Sequence, residues 1–307
     1  MQDPIVKILL RRREAGTKAP HRDGASVALC VEGGAMRGVI SAGMVSALEH
    51  LGLTHAFDAV YGSSGGAINA AYFLAGQARV GSTIYFDDIN NARFIDPLRP
   101  LRGRSIVDLG FLLDDVAIKR KPLDVARLLR GVTPLAILAT DVVNANRAVL
   151  RGFRDARGLF GALRAGATMP IIAGEPFRYD GRDYLDASLT EPIPVPSAQA
   201  DGHTHILTLL TRPTEHPHVV SAFDHLYVLP RLRRLSPILA KMYVDRGAPY
   251  RELVRNIDAG GGPASRAVVR GIRPHGAGIS KLERRRDVLM DGADRGFAAV
   301  VEAFQKS

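Results

Sequence analysis

Residues 27 to 31, Val-Ala-Leu-Cys-Val, form a short unbroken apolar run that stops at Glu32-Gly33-Gly34. Beyond Gly38, the apolar residues Val39, Ile40, Met44, Val45, Leu48 and Leu51 recur at helical spacing until Gly52 supplies a stop. A run this short, bounded by glycines, predicts a buried strand, and the spacing after it predicts a helix packed on one face. The same pattern returns in Phe57 to Tyr61, the turn Gly62-Ser63-Ser64-Gly65-Gly66, and then Ala67 to Ala75, whose small residues let a helix lie close to a sheet. Further strands are predicted at Leu135 to Thr140 and Ile206 to Thr211, while Pro170, Pro176, Pro192, Pro194 and Pro196 mark loops. Alternating strands and helices predict a three-layer α/β/α fold with a mostly parallel central sheet. Segments 116 to 130 and 228 to 244 read as amphipathic surface helices, and Ser280 to Phe304 as one C-terminal helix or a helix pair. Residues 257 to 278, with Gly260-Gly261-Gly262-Pro263, read as a mobile loop.

The chain divides into a basic N-terminal extension (1 to 26) without a sustained apolar period, a core (27 to 211) and a basic, mainly helical C-terminal region packed on it (212 to 307). Of 307 residues, 46% are hydrophobic and 23% charged, a globular composition. Cys30 is the only cysteine, which excludes a disulfide framework and a multi-cysteine zinc site. The longest uncharged stretch, between Asp58 and Arg79, is too polar to cross a bilayer, and Ile5 to Leu10 precedes Arg11-Arg12-Arg13, the reverse of a signal peptide's order. A cytoplasmic protein is expected. The net charge of +10 lies at the ends: the body from 25 to 211 is neutral, whereas residues 1 to 24 and 212 to 307 are basic. Basic ends around a neutral body suit peripheral contact with an anionic membrane as well as plain solubility. Nucleic-acid binding is not expected, since neither aromatic interleaving nor a recognisable module accompanies the charge.

Gly62-Ser63-Ser64-Gly65-Gly66 fits the G-x-S-x-G elbow, where a strand turns so sharply into a helix that the central side chain is forced outward. Gly62 and Gly66 are needed because a Cβ there would strike neighbouring strands. Ser64 is the central residue, and Ser63 is its rival. The turn Glu32-Gly33-Gly34-Ala35-Met36-Arg37-Gly38 frees backbone amides to face an anion, either a phosphate or a tetrahedral oxyanion. A dinucleotide site with Asp58 as its ribose acid competes, but Asp58 precedes its strand instead of ending it. The histidines single out no base: His203, His205, His216, His218 and His225 lie in polar, proline-bearing surroundings. A buried aspartate can serve instead. Asp186 is the best candidate, with Asp141 and Asp183 as alternatives. Arg37 can steer a phosphate or simply pair with Glu49 or Asp58, and Cys30 reads as a small core residue.

These segments resemble the patatin-like phospholipase family of bacterial type. Glu32 to Gly38 is similar to its glycine-rich oxyanion loop, Gly62 to Gly66 to its serine elbow, and Asp186-Ala187-Ser188 with Glu191 to Val195 to its aspartate motif. Ala162 to Pro170 resembles the segment before that aspartate, and Leu282 to Phe304 the C-terminal part of bacterial members. The resemblance implies a serine acyl hydrolase of fatty acyl esters that uses a Ser64–Asp186 dyad without histidine or metal. By it, the amides of Gly34 and Ala35 bind the oxyanion, with Gly33, Arg37 and Gly38 in the same loop. Ala35 stands where the family commonly has a third glycine, and Asp-Ala-Ser where Asp-Gly-Gly or Asp-Gly-Ala is usual. The alternative from another class is a noncatalytic protein that holds a lipid or an anionic surface on the same fold.

Overall fold

The computed structural model describes residues 3–213, 224–261 and 266–306. Eight strands among them form one sheet: β1 (Val27–Val31), β2 (Ala59–Ser63), β3 (Leu135–Asp141), β4 (Asn146–Leu150), β5 (Phe177–Tyr179), β6 (Arg182–Asp186), β7 (His205–Leu209) and β8 (Val268–Ile272), in the order β5-β6-β3-β2-β1-β7-β8 with β4 also paired to β3. Pairings β1–β2, β2–β3, β1–β7 and β7–β8 are parallel, while β4, β5 and β6 are antiparallel additions. The helices are α1 (Pro4–Glu14), α2 (Val39–His50), α3 (Gly65–Leu74), α4 (Ala78–Thr83), α5 (Val125–Arg130), α6 (Ala156–Ala167), α7 (Val195–Ala200), α8 (Leu229–Leu235), α9 (Pro237–Asp245), α10 (Gly247–Asp258) and α11 (Arg286–Gln305).

Each central strand is apolar on both faces, and its alternating side chains enter two different cores. Val27, Leu29 and Val31 of β1, Val60 of β2 and Ile137 of β3 pack with α1, α2, α3 and α11. Ala28, Cys30, Tyr61 and Leu138 pack with Val195 and Ala198 of α7 and Tyr250, Val254 and Ile257 of α10. A third, smaller cluster joins Leu185 and Leu189 to α8 and α9. The expected three layers and mostly parallel sheet are therefore present. Cys30 lies in the second core, where burial pushes its thiol well up.

Three expectations change. Within the first 24 residues, α1 buries Ile5, Val6, Ile8 and Leu9, each worth about 1.5–3 kcal/mol of apolar transfer. Their spacing covers barely more than one helical turn before three arginines begin, so no sustained period betrayed it. Residues 257 to 278, read as a loop, contain β8 at the sheet edge and the end of α10; residues 262 to 265 lie outside the described residues.

Helix α11 lies directly on α2. A Cβ on Gly43 would fall on the Ala293 carbonyl and one on Gly296 on the Ile40 carbonyl, so both positions admit only glycine at this approach. This seats the C-terminal helix against the helix that leads out of the 32–38 turn. The predicted 228–244 helix is broken at Ser236, whose hydroxyl accepts the Leu239 amide as cap of α9.

Candidate active site

Parallel strands β1, β2 and β7 end side by side, with Val31 in register with both Gly62 and Leu209. Their carboxyl ends deliver the Glu32–Gly38 turn, Ser64 and Thr211 to one edge of the sheet, where ligands of open α/β sheets bind. Ser64 has φ 54° and ψ −134°, a conformation that costs a non-glycine residue on the order of 1–3 kcal/mol. The elbow imposes it. At Gly62 a Cβ would strike Ala67, and at Gly66 it would strike the Val31 carbonyl, so no larger residue lets β2 turn this tightly into α3. Ser63, the rival, is buried and its hydroxyl donates to the Glu191 carbonyl at 2.8 Å.

The glycine turn is held from every side. A Cβ on Gly33 would lie 2.8 Å from the Ser64 Cβ, so that close approach requires glycine. Ala35 adopts φ 52°, the left-handed conformation that its place in the motif demands. Ser41 donates to the Glu32 carbonyl at 2.9 Å, Asn69 donates to the Gly38 carbonyl at 2.9 Å, and Tyr85 donates to Asn69. The Met36 amide donates to the Lys281 carbonyl. The amides of Gly34 and Ala35 donate to no group among the described residues, which leaves two adjacent donors on the turn.

Behind the turn, buried Glu32 accepts from the Thr211 amide and hydroxyl and from the Tyr250 hydroxyl. Arg37 lies against Gly34 and donates from Nε to Thr211 Oγ1 at 3.1 Å. It pairs with neither Glu49, which caps Ala78, nor Asp58, which belongs to Arg12; both pairings expected for it are corrected. Burial lowers the Arg37 pKa; Glu32 opposes the shift, and Arg212 adds to it. Lys281 is shifted in the same direction. Burial, then Arg37, Arg246 and Arg212, push it down to about 7, against a small upward pull from Asp186. Sequence reasoning did not single out Lys281.

Asp186 ends β6 and is fully buried. Its register partner is Ala139, while Ser63 pairs with Leu138 on the same strand β3, so Ser64 and Asp186 flank the end of that strand from its two edges. Oδ1 accepts the Ser188 amide at 2.8 Å, whereas Oδ2 is buried without a partner among the described residues. No hydrogen bond joins Asp186 to Ser64. Asp141, an alternative, is occupied as a turn cap: burial pushes its carboxyl up, but bonds from Asn144, Arg182 and Val143 outweigh that and hold it below its ordinary range. Asp183 pairs with Arg178 in an exposed position. His203 and His205 lie at the opposite end of the sheet from Ser64, His225 is exposed, and His216 and His218 fall outside the described residues.

Ser64, Gly65 and Ala35 open into a narrow cavity of about 50 Å³ walled by Ile68, Tyr85, Phe94, Val107, Leu109 and Met169, among others. That volume holds a few waters, so a long apolar chain enters only by displacing side chains such as Met169. Among the described residues no helix is long and apolar enough to cross a membrane, and no group of three or more His, Cys, Asp or Glu is placed to hold a metal ion.

A sheet whose carboxyl edge presents a strained elbow serine beside a glycine turn defines an α/β protein with an apolar cavity at the serine. The chain belongs to the patatin-like phospholipase family, whose profile matches residues 29–198, more than half of its length. A protein of Escherichia coli (strain K12) described as uncharacterized protein YjjU is 26% identical over 192 residues, 62% of this chain and 53% of that protein. The chain thus spans about half the length of that curated relative. Among solved structures, VipD from Legionella pneumophila superposes with a TM-score of 0.49 at 10% identity, covering 94% of this chain and 69% of that one. Human GIVD cytosolic phospholipase A2, in complex with methyl gamma-linolenyl fluorophosphonate, gives 0.41 at 13% identity over 98% and 62%.

Proposed function

We propose that the protein is a lipid acyl hydrolase that cleaves fatty acyl esters, phospholipids included. Ser64 Oγ attacks the ester carbonyl as its proton passes to Asp186, and the amides of Gly34 and Ala35 stabilise the oxyanion. Collapse expels the alcohol, which takes the proton back from Asp186. Water then attacks the acyl-enzyme by the reverse proton path and releases the fatty acid. Arg37 lends its charge from behind the oxyanion turn. The observation that carries this reading is a strained Ser64 that lines an apolar cavity with Ala35, on a turn where the amides of Gly34 and Ala35 donate to no group among the described residues.

Replacing Ser64 with Ala is expected to lower turnover of p-nitrophenyl esters by at least about a thousandfold with the fold retained. Asp186→Asn is expected to do nearly the same, and full activity in either variant rejects that residue's role. The lack of a hydrogen bond between Ser64 and Asp186 favours one second reading, a protein that holds lipid without turnover. Labelling of Ser64 by a fluorophosphonate probe sides with the enzyme, and its failure with the binder.

A further inference from the structure

Between Ile95 and Val107 the chain leaves the core and returns to the same place. These two residues form an antiparallel bridge, and the amides of Asp96 and Asp108 donate across it to the carbonyls of Ile106 and Phe94. The excursion is braced from within by Arg99, which is 8% exposed and donates to the carbonyls of Ala92, Arg93, Phe94 and Ile106. On either side of this buried arginine, Leu98, just before the short helical turn Arg99–Arg102, and Leu101, within it, are 64% and 84% exposed. The brace makes their exposure a fixed property of the loop. Arg102 makes no ion pair among the described residues, and Arg104 reaches Asp108 only at 3.7 Å. The loop stands at a second feature. Arg104, Asp108 and Arg164 line a groove of about 400 Å³ whose floor residues Val107, Leu109 and Ala173 also wall the Ser64 cavity.

We propose that loop 96–106 seats the protein on an anionic phospholipid surface, Leu98 and Leu101 entering the boundary between headgroups and acyl chains while Arg102 and Arg104 face phosphates. Two outward leucines beside two cations are the pairing that a lipid interface takes up, since apolar burial and attraction to anionic headgroups act together. A surface seated there lies against the groove, and an acyl chain leaving it passes Val107, Leu109 and Ala173 towards Ser64. This last step rests on the proposed hydrolase reading; the docking does not. The contact is thereby assigned to a loop of the neutral body and not to the basic ends of the chain.

The test is co-sedimentation of the full chain with vesicles of phosphatidylglycerol and phosphatidylcholine, and with phosphatidylcholine alone. The wild type is expected to partition onto the anionic vesicles and little onto the neutral ones. Leu98→Ser/Leu101→Ser should weaken partitioning about tenfold or more and Arg102→Glu about fivefold or more, with melting temperatures unchanged because these side chains are exposed. Arg11→Glu/Arg13→Glu, at the N-terminal helix, should bind as the wild type. Undiminished binding in the loop variants, loss confined to the N-terminal variant, absence of wild-type binding, or a concentration-dependent dimer abolished by the leucine variant would each overturn the proposal. Ser64→Ala separates the two readings: it should dock normally without hydrolysis, and a wild type that docks but hydrolyses nothing leaves the seat standing while the hydrolase reading falls.

Discussion

Arg12 and Arg37 are both buried guanidiniums, 3% and 9% exposed, yet their surroundings have little in common. Arg12 donates to both oxygens of Asp23, to Asp58 and to the carbonyls of Ala56 and Ala25, all at 2.7–2.9 Å. Burial opposes its charge, but the bonds it donates to Asp23 and Asp58 outweigh that and raise its pKa. Arg37 has one side-chain bond among the described residues, to Thr211, and burial, with Arg212 as a repelling neighbour, lowers its pKa. A saturated buried charge fixes the fold, here clasping α1 to the start of β1 and β2. A buried charge with few partners, beside amides that donate to no group among the described residues, is on the proposed reading available to a ligand that arrives.

The largest effect expected from this contrast is on stability. Arg12→Leu strands Asp23 and Asp58 and should cost about 3–5 kcal/mol in urea unfolding, with the activity of the remaining folded protein unchanged. Equal costs for Arg12→Leu and Arg37→Met would break the contrast. Thr211→Val, which takes a hydroxyl donor from buried Glu32 and the acceptor from Arg37, should cost about 1–3 kcal/mol and reduce ester turnover as well. Arg37→Met should lower kcat on the order of tenfold while unfolding within about 1 kcal/mol of the wild type, because Glu32 keeps its Thr211 and Tyr250 donors and a repelled cation is removed.

The remaining effects are in the pH profile, and both arise from downward shifts, one of a base and one of an acid. Lys281 has a folded pKa of about 7, below its ordinary value of ~10.4, so between these the unfolded chain binds more protons. Stability should therefore rise from about pH 7 towards pH ~10 and be lost as pH falls through 7; Lys281→Met should abolish that rise in urea midpoints taken at both ends. Around Arg12 the direction of the shift is again downward, now for an acid. Hydrogen bonds from Arg12 hold Asp23 far below its ordinary range, so its stabilisation is fully present above pH ~4 and is lost as pH falls towards its folded value. Arg12→Leu should flatten this acid limb.

What the sequence disclosed follows from which interactions are local. Strand β1 was read to the residue, and β3 and β7 to within two positions, because buried parallel strands are short apolar runs ending in glycine or polar turns. The elbow was legible for the same reason: Gly62, Ser64 and Gly66 do their work within five residues. Asp186 was legible as a candidate from its small neighbours and the prolines after it and from likeness of motif, but not its placement, which the pairing of β6 with β3 sets. Partners of Arg37 lay beyond reach, because Thr211 is 174 residues away and the nearer acids Glu49 and Asp58 are engaged elsewhere. Helix α1 hid behind its arginines, one of which turned inward. Strand β8 hid because Arg270 and Gly271 interrupt an edge strand's apolar signal.

The backbone at position 64 has a consequence for drift. Glycine is at ease at φ 54° and ψ −134°, whereas serine is not, so Ser64→Gly should melt higher than the wild type while losing turnover. Heat tolerance and chemistry therefore pull this codon in opposite directions. On the proposed hydrolase reading, a lineage released from the need for turnover would lose the elbow serine early under thermal selection.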